Sequence, residues 1–487
     1  MSDRLVHTED RDGIAQLGAV LAAAGYTAQG VERLLTADGE RVDRTADALP
    51  LQLRLLPPGE RLSTLVALFY LGVSVPTADA AAALAPLALD RLAAMGLVAT
   101  GEAETRALVD LVPTEELLVA SDRFEGGSFA EDRDEVLGLT PPTRALAGLT
   151  IRRPVDSALD LGTGSGVLAI LAADHARRVV GVDVNPRALA LAELNALLNE
   201  RHNVEWRRGD WLEAVAGESF DLIVCNPPYL ISPDRTFTFR DNPLPGDAFC
   251  EELVRRTPAH LAPGGLAHLL VSWGHRDDED WSMPLRRWVE GSGCDAILLR
   301  YASEDPLSHA AEWNEALRGD REVFGATLDR WTGYCAELGI ERIGWGTVVL
   351  RRREGSNWVF ALTSSGTRMG PAGRHLERLI GAQDRLAAAD GDGLLDDALA
   401  LADDHRLDRS VRLGGGVGVL EGAFLRLEGG LGTRIELDPA LLEVVGSLDG
   451  RRALRDVLEP LAESEAWARS ALAAVTRLFE LGFLVRA

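Results

Sequence analysis

Apolar positions fall into three regimes along the chain. Over residues 14–24, 27–35, 60–70, 77–83 and 88–95 they recur every three or four residues, which predicts helices. Gly25 and Gly96 follow the first and last of these as stop signals. Residues 97–99 and 106–111 then read as a small hairpin, and 116–121 as a further strand. Gly126-Gly127 and Thr140-Pro141-Pro142-Thr143 are turn signals inside a connecting segment, 122–154.

From residue 155 the pattern becomes one of short, continuous apolar runs, each bounded by turn residues. Residues 155–161, 179–183, 204–207, 221–225, 266–272 and 294–301 are such runs and predict buried strands. Helical spacing returns between them over 167–173, 187–199, 247–260 and 284–290, with Asn185-Pro186 as a start signal. Strands alternating with helices imply an α/β fold built on a parallel sheet. Residues 302–326 read as an insertion, 327–338 as a helix, and 343–352 with 358–362 as a closing antiparallel hairpin turning at Glu354-Gly355-Ser356-Asn357.

The third regime, 365–487, predicts helices over 376–388, 394–402, 454–461 and 465–481. Gly414-Gly415-Gly416 precedes strand-like runs at 417–420 and 424–427, and Leu437-Asp438-Pro439 caps a helix through residue 445. Residues 89–98 and 475–484 share one local design: an amphipathic helix, a glycine stop and an apolar strand. Both ends of the chain therefore resemble winged helices, and the last segment is similar to PqqD-like peptide-binding domains in its Leu448-Asp449-Gly450 turn and terminal helix. The expected division is a helical, winged-helix-like domain at 1–121, a linker and cofactor-lid segment at 122–154, an α/β domain at 155–364, and a winged-helix-like domain at 365–487.

Charge narrows the partners. The chain of 487 residues carries a net charge of −25, and all fifty basic residues are arginine. Acidity weighs against a broad nucleic-acid footprint, which needs local positive charge. Arginine pairs recur in the central region, so a local basic groove stays open as an alternative to solvated strand and helix ends. No two of Cys225, Cys250, Cys294 and Cys335 have metal-ligand or redox spacing, and no metal is expected. The polar start and the shortness of every apolar stretch predict a cytoplasmic protein without a membrane span.

Two motifs carry the chemistry. Asp160-x-Gly162-x-Gly164-x-Gly166 ends a strand and opens a helix, where glycines let backbone amides approach a ligand. Asn226-Pro227-Pro228-Tyr229 follows the strand run 221–225; two prolines end the strand in a rigid corner at its carboxyl end. A plain Pro-Pro turn is the bland alternative for the second motif alone. Together, at this separation, they resemble class I S-adenosylmethionine-dependent methyltransferases of the amino-methylating branch, which includes HemK-like glutamine N5-methyltransferases and N6-adenine and N2-guanine nucleobase methyltransferases. The resemblance spans roughly residues 135–300. It implies a Rossmann-like sheet and S-adenosyl-L-methionine as cofactor. The implied cofactor residues are Asp160, Gly162, Thr163, Gly164 and Gly166 on the methionine side, Asp183 at the ribose, and Asp210 and Trp211 at the adenine, together with Asn185 and Asn226. A helix-capping Asp183, a surface-turn Asp210 and a core Trp211 are the alternatives.

The resemblance also implies catalytic roles. The Asn226 side-chain oxygen and the Pro227 main-chain oxygen would accept the two hydrogens of a planar NH₂, and Tyr229 would stack on its plane. Residues 139–143 occupy the place of a proline-rich stretch in HemK-like enzymes but lack its arginine and acids. The expected function is methyl transfer to a planar nitrogen, foremost a glutamine-like amide of a protein or peptide, with a nucleobase amino group of RNA or DNA as the alternative. A cofactor-sensing regulator and a NAD-dependent oxidoreductase are the readings from other classes; Val167 disfavours the second, because the dinucleotide fingerprint needs Gly or Ala there.

Overall fold

Eight strands form one sheet at the centre of the computed structural model, which describes all residues except 1–5, 46, 124–133, 238, 242–243, 365–369, 389–392, 415–416 and 463. Gly126-Gly127 and Gly415-Gly416 lie outside the described residues. The strands are β1 (Val155–Leu161), β2 (Ala176–Asp183), β3 (Val204–Arg208), β4 (Phe220–Cys225), β5 (Leu261–His275), β6 (Cys294–Glu304), β7 (Arg342–Arg352) and β8 (Val359–Thr363), in the order β3-β2-β1-β4-β5-β7-β6-β8. The five strands from β3 to β5 run parallel, and β7 enters antiparallel between β5 and β6. The order reverses between β1 and β4, and such a switch point opens a crevice at the carboxyl ends of the strands.

The expected closing hairpin is corrected. β7 spends both edges on β5 and β6, so β8 cannot pair with it and adds instead to the outer edge of β6, in parallel. A second correction concerns 394–402: Ala398–Leu401 is a strand between Asp449–Ala453 and Leu484–Arg486, with Leu399 turned inward. A helical period over so few residues is indistinguishable from strand alternation until pairing partners arrive. The runs 417–420 and 424–427 are one strand, Val417–Leu427, paired with His405–Gly414 and Arg434–Leu437.

Alternation along the strands divides the core between the two faces of the sheet. Leu159, Leu161, Ile223 and Cys225 face helices α4 (Ala248–Arg256) and α5 (Met283–Val289). Ala158, Leu222, Val224 and Leu270 face α1 (Pro141–Leu149) and α2 (Val167–Ala172). Further along this second face Ile297, Leu299, Val349, Phe360 and Leu362 share one apolar cluster with Leu376, Leu379 and Ala382 of α8 (Gly373–Ala387) and with the C-terminal helix Glu465–Glu480. The core therefore runs without a break across residue 365.

Residues 6–121 build a second core from six α-helical segments, the three-stranded antiparallel sheet Val75–Pro76, Glu104–Ala107 and Val98–Thr100, and the hairpin Asp110–Pro113 with Leu118–Ser121. It closes on Ala188, Leu191 and Leu194 of α3 (Pro186–Leu198). Asn195 of α3 accepts the Ala120 N–H at 2.6 Å and donates to the Ala120 carbonyl at 2.8 Å. Its amide also donates to the Ser165 carbonyl at 2.8 Å, so one buried asparagine ties this unit to the glycine-rich turn. No described helix is long and apolar enough to cross a membrane.

Candidate active site

Strand register gathers the sequence-predicted acids. Asp160 lies opposite Gly181 on β2 and Val224 on β4, while Asp183 lies opposite Arg208 on β3. Asp160, Asp183, Asp210 and Asn226 thus end four neighbouring parallel strands along one rim.

The glycine turn is built by backbone geometry. Gly162, Gly164 and Gly166 have φ of +70°, +53° and +81°, a region that disfavours any side chain. A Cβ at Gly162 or Gly164 would meet no atom within 4 Å, so both face open space where a ligand can approach. At Gly166 the reason differs: a Cβ there would lie 2.8 Å from Ala192 and 3.0 Å from the Trp206 ring, which also lies beneath Gly181.

Asp160 is fully buried below this turn. Its Oδ2 accepts the Thr163 hydroxyl at 2.6 Å and the Ala169 N–H at 2.9 Å, whereas Oδ1 has no hydrogen-bond partner among the described residues. Burial pushes its pKa up to about 7, against the lowering effect of the two donors. A buried carboxylate oxygen without a partner calls for a cation, and a ligand ammonium group at the open glycine turn would meet that need.

Asp183 accepts the Gly164 N–H and the Asn185 N–H, each at 2.9 Å, and burial raises its pKa. Both ends of the Asn185 amide are engaged: its oxygen caps α3 by accepting the Arg187 N–H at 2.9 Å, and its nitrogen donates to the Asp134 carbonyl at 2.9 Å. Asp210 ends β3 as an exposed residue. Trp211 follows it with a φ of +50° and packs edge-on against Phe249 of α4.

Segment 134–143 crosses the mouth of the crevice. Besides the Asp134 contact, the Leu137 carbonyl accepts the Ser165 hydroxyl at 2.8 Å, and Thr143 Oγ1 accepts from Asn226 Nδ2 at 3.0 Å. One strap thus touches the Asp183 side, the glycine turn and the Asn-Pro-Pro-Tyr corner.

Beyond that corner lies an aromatic wall. The Tyr229 ring meets Trp345 of β7 edge-on at 5.4 Å, and Trp345 stacks on Trp313 at 5.8 Å. The outer layer is α6 (Pro306–Trp313), inside the insertion 302–326, and α7 (Arg321–Glu337), which starts within that insertion, ahead of the helix expected at 327–338. His309 of α6 bridges the Ile231 carbonyl at 2.9 Å and Glu304 at 2.8 Å, and Glu304 also accepts the Trp345 N–H at 3.0 Å. Trp331 of α7 donates to Asp234 at 3.0 Å. The chain leaving Tyr229 is therefore pinned to the insertion at two points. Burial raises the Tyr229 hydroxyl pKa, which keeps it protonated.

Sequence reading passed over Thr143, Ser165, Trp206 and Trp345. Thr143 sits three residues after a potential helix cap, a signal available in Thr140-Pro141-Pro142-Thr143. Nothing in the local pattern marks Trp345, which reaches the site only because β7 inserts beside β5.

Two family profiles match the chain: "Methyltransferase small domain" over residues 142–275, and a domain of unknown function, DUF7059, over residues 23–108. Among curated relatives, a ribosomal protein uL3 glutamine methyltransferase of Bordetella pertussis is 34% identical over 218 residues, which is 39% of this chain and 72% of the relative. A release factor glutamine methyltransferase of Cereibacter sphaeroides is 36% identical over 163 residues, 30% of this chain and 58% of the relative. One of Xylella fastidiosa is 38% identical over 126 residues, 23% of this chain and 46% of the relative. The chain thus spans about half the length of these last two. The matched range 142–275 contains the glycine turn, the rim acids and the Asn-Pro-Pro-Tyr corner, and the uL3 glutamine methyltransferase is matched over 72% of its length: the chain belongs to the class I methyltransferase family that includes the release factor and ribosomal protein uL3 glutamine methyltransferases.

Proposed function

We propose that this protein methylates the side-chain amide nitrogen of a glutamine in a protein substrate, with S-adenosyl-L-methionine as donor. The observation that carries the reading is the register of β1 with β4. It sets the Asn226-Pro227-Pro228-Tyr229 corner beside the glycine turn and the unpartnered Asp160 Oδ1.

S-adenosylmethionine, when bound, would supply a sulfonium-activated methyl group: a nitrogen lone pair can bond to the methyl carbon as the S–C bond breaks, its electrons remaining on the departing thioether sulfur. Asp160 would hold the donor ammonium group, the open faces of Gly162 and Gly164 would take the chain next to it, and Asp183 would receive the ribose hydroxyls. Asp210 and Trp211 would flank the adenine. Asn226 Oδ1 and the Pro227 carbonyl accept the two hydrogens of the glutamine amide. They hold its nitrogen in line and stabilise the positive charge that grows on it. The surplus proton then leaves to water along one of these two hydrogen bonds. Tyr229, backed by Trp345, covers the plane of the amide and excludes solvent.

The flanking units, 1–121 and 365–487, read as winged-helix-like modules that choose the protein carrying the glutamine. The acidic surface favours a basic partner over nucleic acid. A cytoplasmic setting accords with four free, buried cysteines.

Incubation of unmethylated release factor, or of ribosomal protein uL3, with methyl-labelled cofactor tests the proposal. Label on a glutamine side chain is expected, lost in Asn226→Ala while calorimetric binding of S-adenosylhomocysteine persists. Label recovered only in RNA or DNA would move the reading to a nucleobase amino group.

A further inference from the structure

We propose that Thr143 is a positioning residue that sets which way the Asn226 carboxamide faces; the inference rests on the amide-methylating reading above. An asparagine side chain has one donor end and one acceptor end of nearly equal shape, and its two flipped states present opposite chemistry. Only the state with Oδ1 toward the substrate accepts an amide hydrogen. The flipped state would set N–H against N–H.

The start of α1 decides between them. Thr140 caps this helix: its Oγ1 accepts the Thr143 N–H at 3.3 Å. Thr143 Oγ1 accepts the Asn226 Nδ2–H at 3.0 Å. It lies 2.8 Å from Thr140 Oγ1, a pair in which either hydroxyl can donate; with the Thr143 hydrogen turned to Thr140, Thr143 Oγ1 offers Asn226 only lone pairs. Fixing the donor end on Thr143 leaves Oδ1 directed away from it. Thr143 is 9% exposed, so water competes poorly for this contact.

The helix that carries Thr143 is itself immobilised. Leu146 and Leu149 are fully buried against the sheet, and the Gly148 carbonyl accepts the Ala372 N–H at 2.7 Å. The orientation of the reactive amide is thus anchored through α1 to the base of the C-terminal unit, and Thr140-Pro141-Pro142-Thr143, a turn signal by composition, becomes part of the acceptor site.

Thr143→Val keeps the shape and removes the hydroxyl, and Thr143→Ser keeps the hydroxyl. For methyl transfer to release factor or uL3, Thr143→Val is expected to lower kcat roughly ten- to a hundredfold, the order of effect of misplacing a reacting group. KM for the protein and calorimetric affinity for S-adenosylhomocysteine stay unchanged, and Thr143→Ser recovers kcat. Undiminished kcat in Thr143→Val overturns the inference and leaves the amide reading standing. A fall in kcat joined to lost S-adenosylhomocysteine binding, or no recovery in Thr143→Ser, also overturns it, because the side chain would then serve folding alone. Wild-type protein that labels a glutamine in neither substrate overturns the amide reading, and the inference with it.

Discussion

Asp160 carries opposite demands before and after ligand binding. Buried with one oxygen unpartnered, it takes a proton up to about pH 7. The folded apoprotein therefore holds a proton that the unfolded chain, with an ordinary aspartate near 4, has already released. Its contribution to stability is present at pH 4 and is lost as the pH rises to about 7. Asp160→Asn removes this penalty and is expected to raise the apoprotein melting temperature at pH 8 by scanning calorimetry. The ammonium of the cofactor needs the carboxylate, so titration calorimetry should show affinity for S-adenosylhomocysteine falling below pH 7, approaching about tenfold per pH unit. In Asp160→Asn this pH dependence should vanish and binding should be weak throughout. Asp160 was legible in the sequence because its motif is local. The unpartnered oxygen was not, since burial depends on α2 and β4 closing around it.

At the scale of elements, the insertion after β6 forms part of the site. Residues 302–326 read as an insertion without a helix of its own, because residues 306–313 are too few to establish a period. Folding brings Trp313 and Trp331 around His309, and the stack ends on Trp345 and Tyr229. Loss of the Trp345 ring would let Tyr229 swing out of its edge-on seat. Trp345→Ala is expected to raise KM for the protein acceptor roughly three- to tenfold, the value of one aromatic pair, with cofactor affinity unchanged in calorimetry. The closing strands give the same lesson. Both 343–352 and 358–362 are recognisably strands by composition, yet their partners follow from which edges remain free after β7 inserts.

Across the whole molecule, the C-terminal unit covers part of one sheet face, over β6, β7 and β8. α8 lies over Ile297, Val349 and Phe360, and its Asp384 accepts Arg351 Nη1 at 2.7 Å and Trp358 Nε1 at 3.0 Å. A fragment ending at residue 364 would expose this apolar face, and it is expected to aggregate or bind a hydrophobic dye where the full chain does neither. His375 joins α8 to the rest of the unit. It accepts the Leu431 N–H at 3.3 Å through Nδ1 and faces the Leu481 carbonyl at 2.8 Å through Nε2. Both bonds use the neutral ring, and burial lowers its pKa to about 4. The unfolded chain binds a proton first, so this stability is full above the ordinary histidine value of 6.5 and is lost as the pH falls to about 4. His268, fully buried on β5 with a pKa lowered to about 3, acts with the same sign. Asp160 acts with the opposite sign in the same window, so the test is a comparison: acidification from pH 6.5 to 4 should lower the denaturant midpoint less in His375→Gln than in the wild type.

By itself, the sequence determined what depends on neighbouring residues: alternating strands and helices, glycines at positive φ after β1, and a proline corner after β4. These are constraints of backbone sterics and period, and they travel with the local chain. Tertiary structure alone decided the order in which strands pair, the burial that strips Asp160 of a partner, the aromatic backing of Tyr229, and the meeting of Thr143 with Asn226 across 83 positions. Those depend on which surfaces compete for the same edge or face once the chain collapses, and no local pattern encodes that competition.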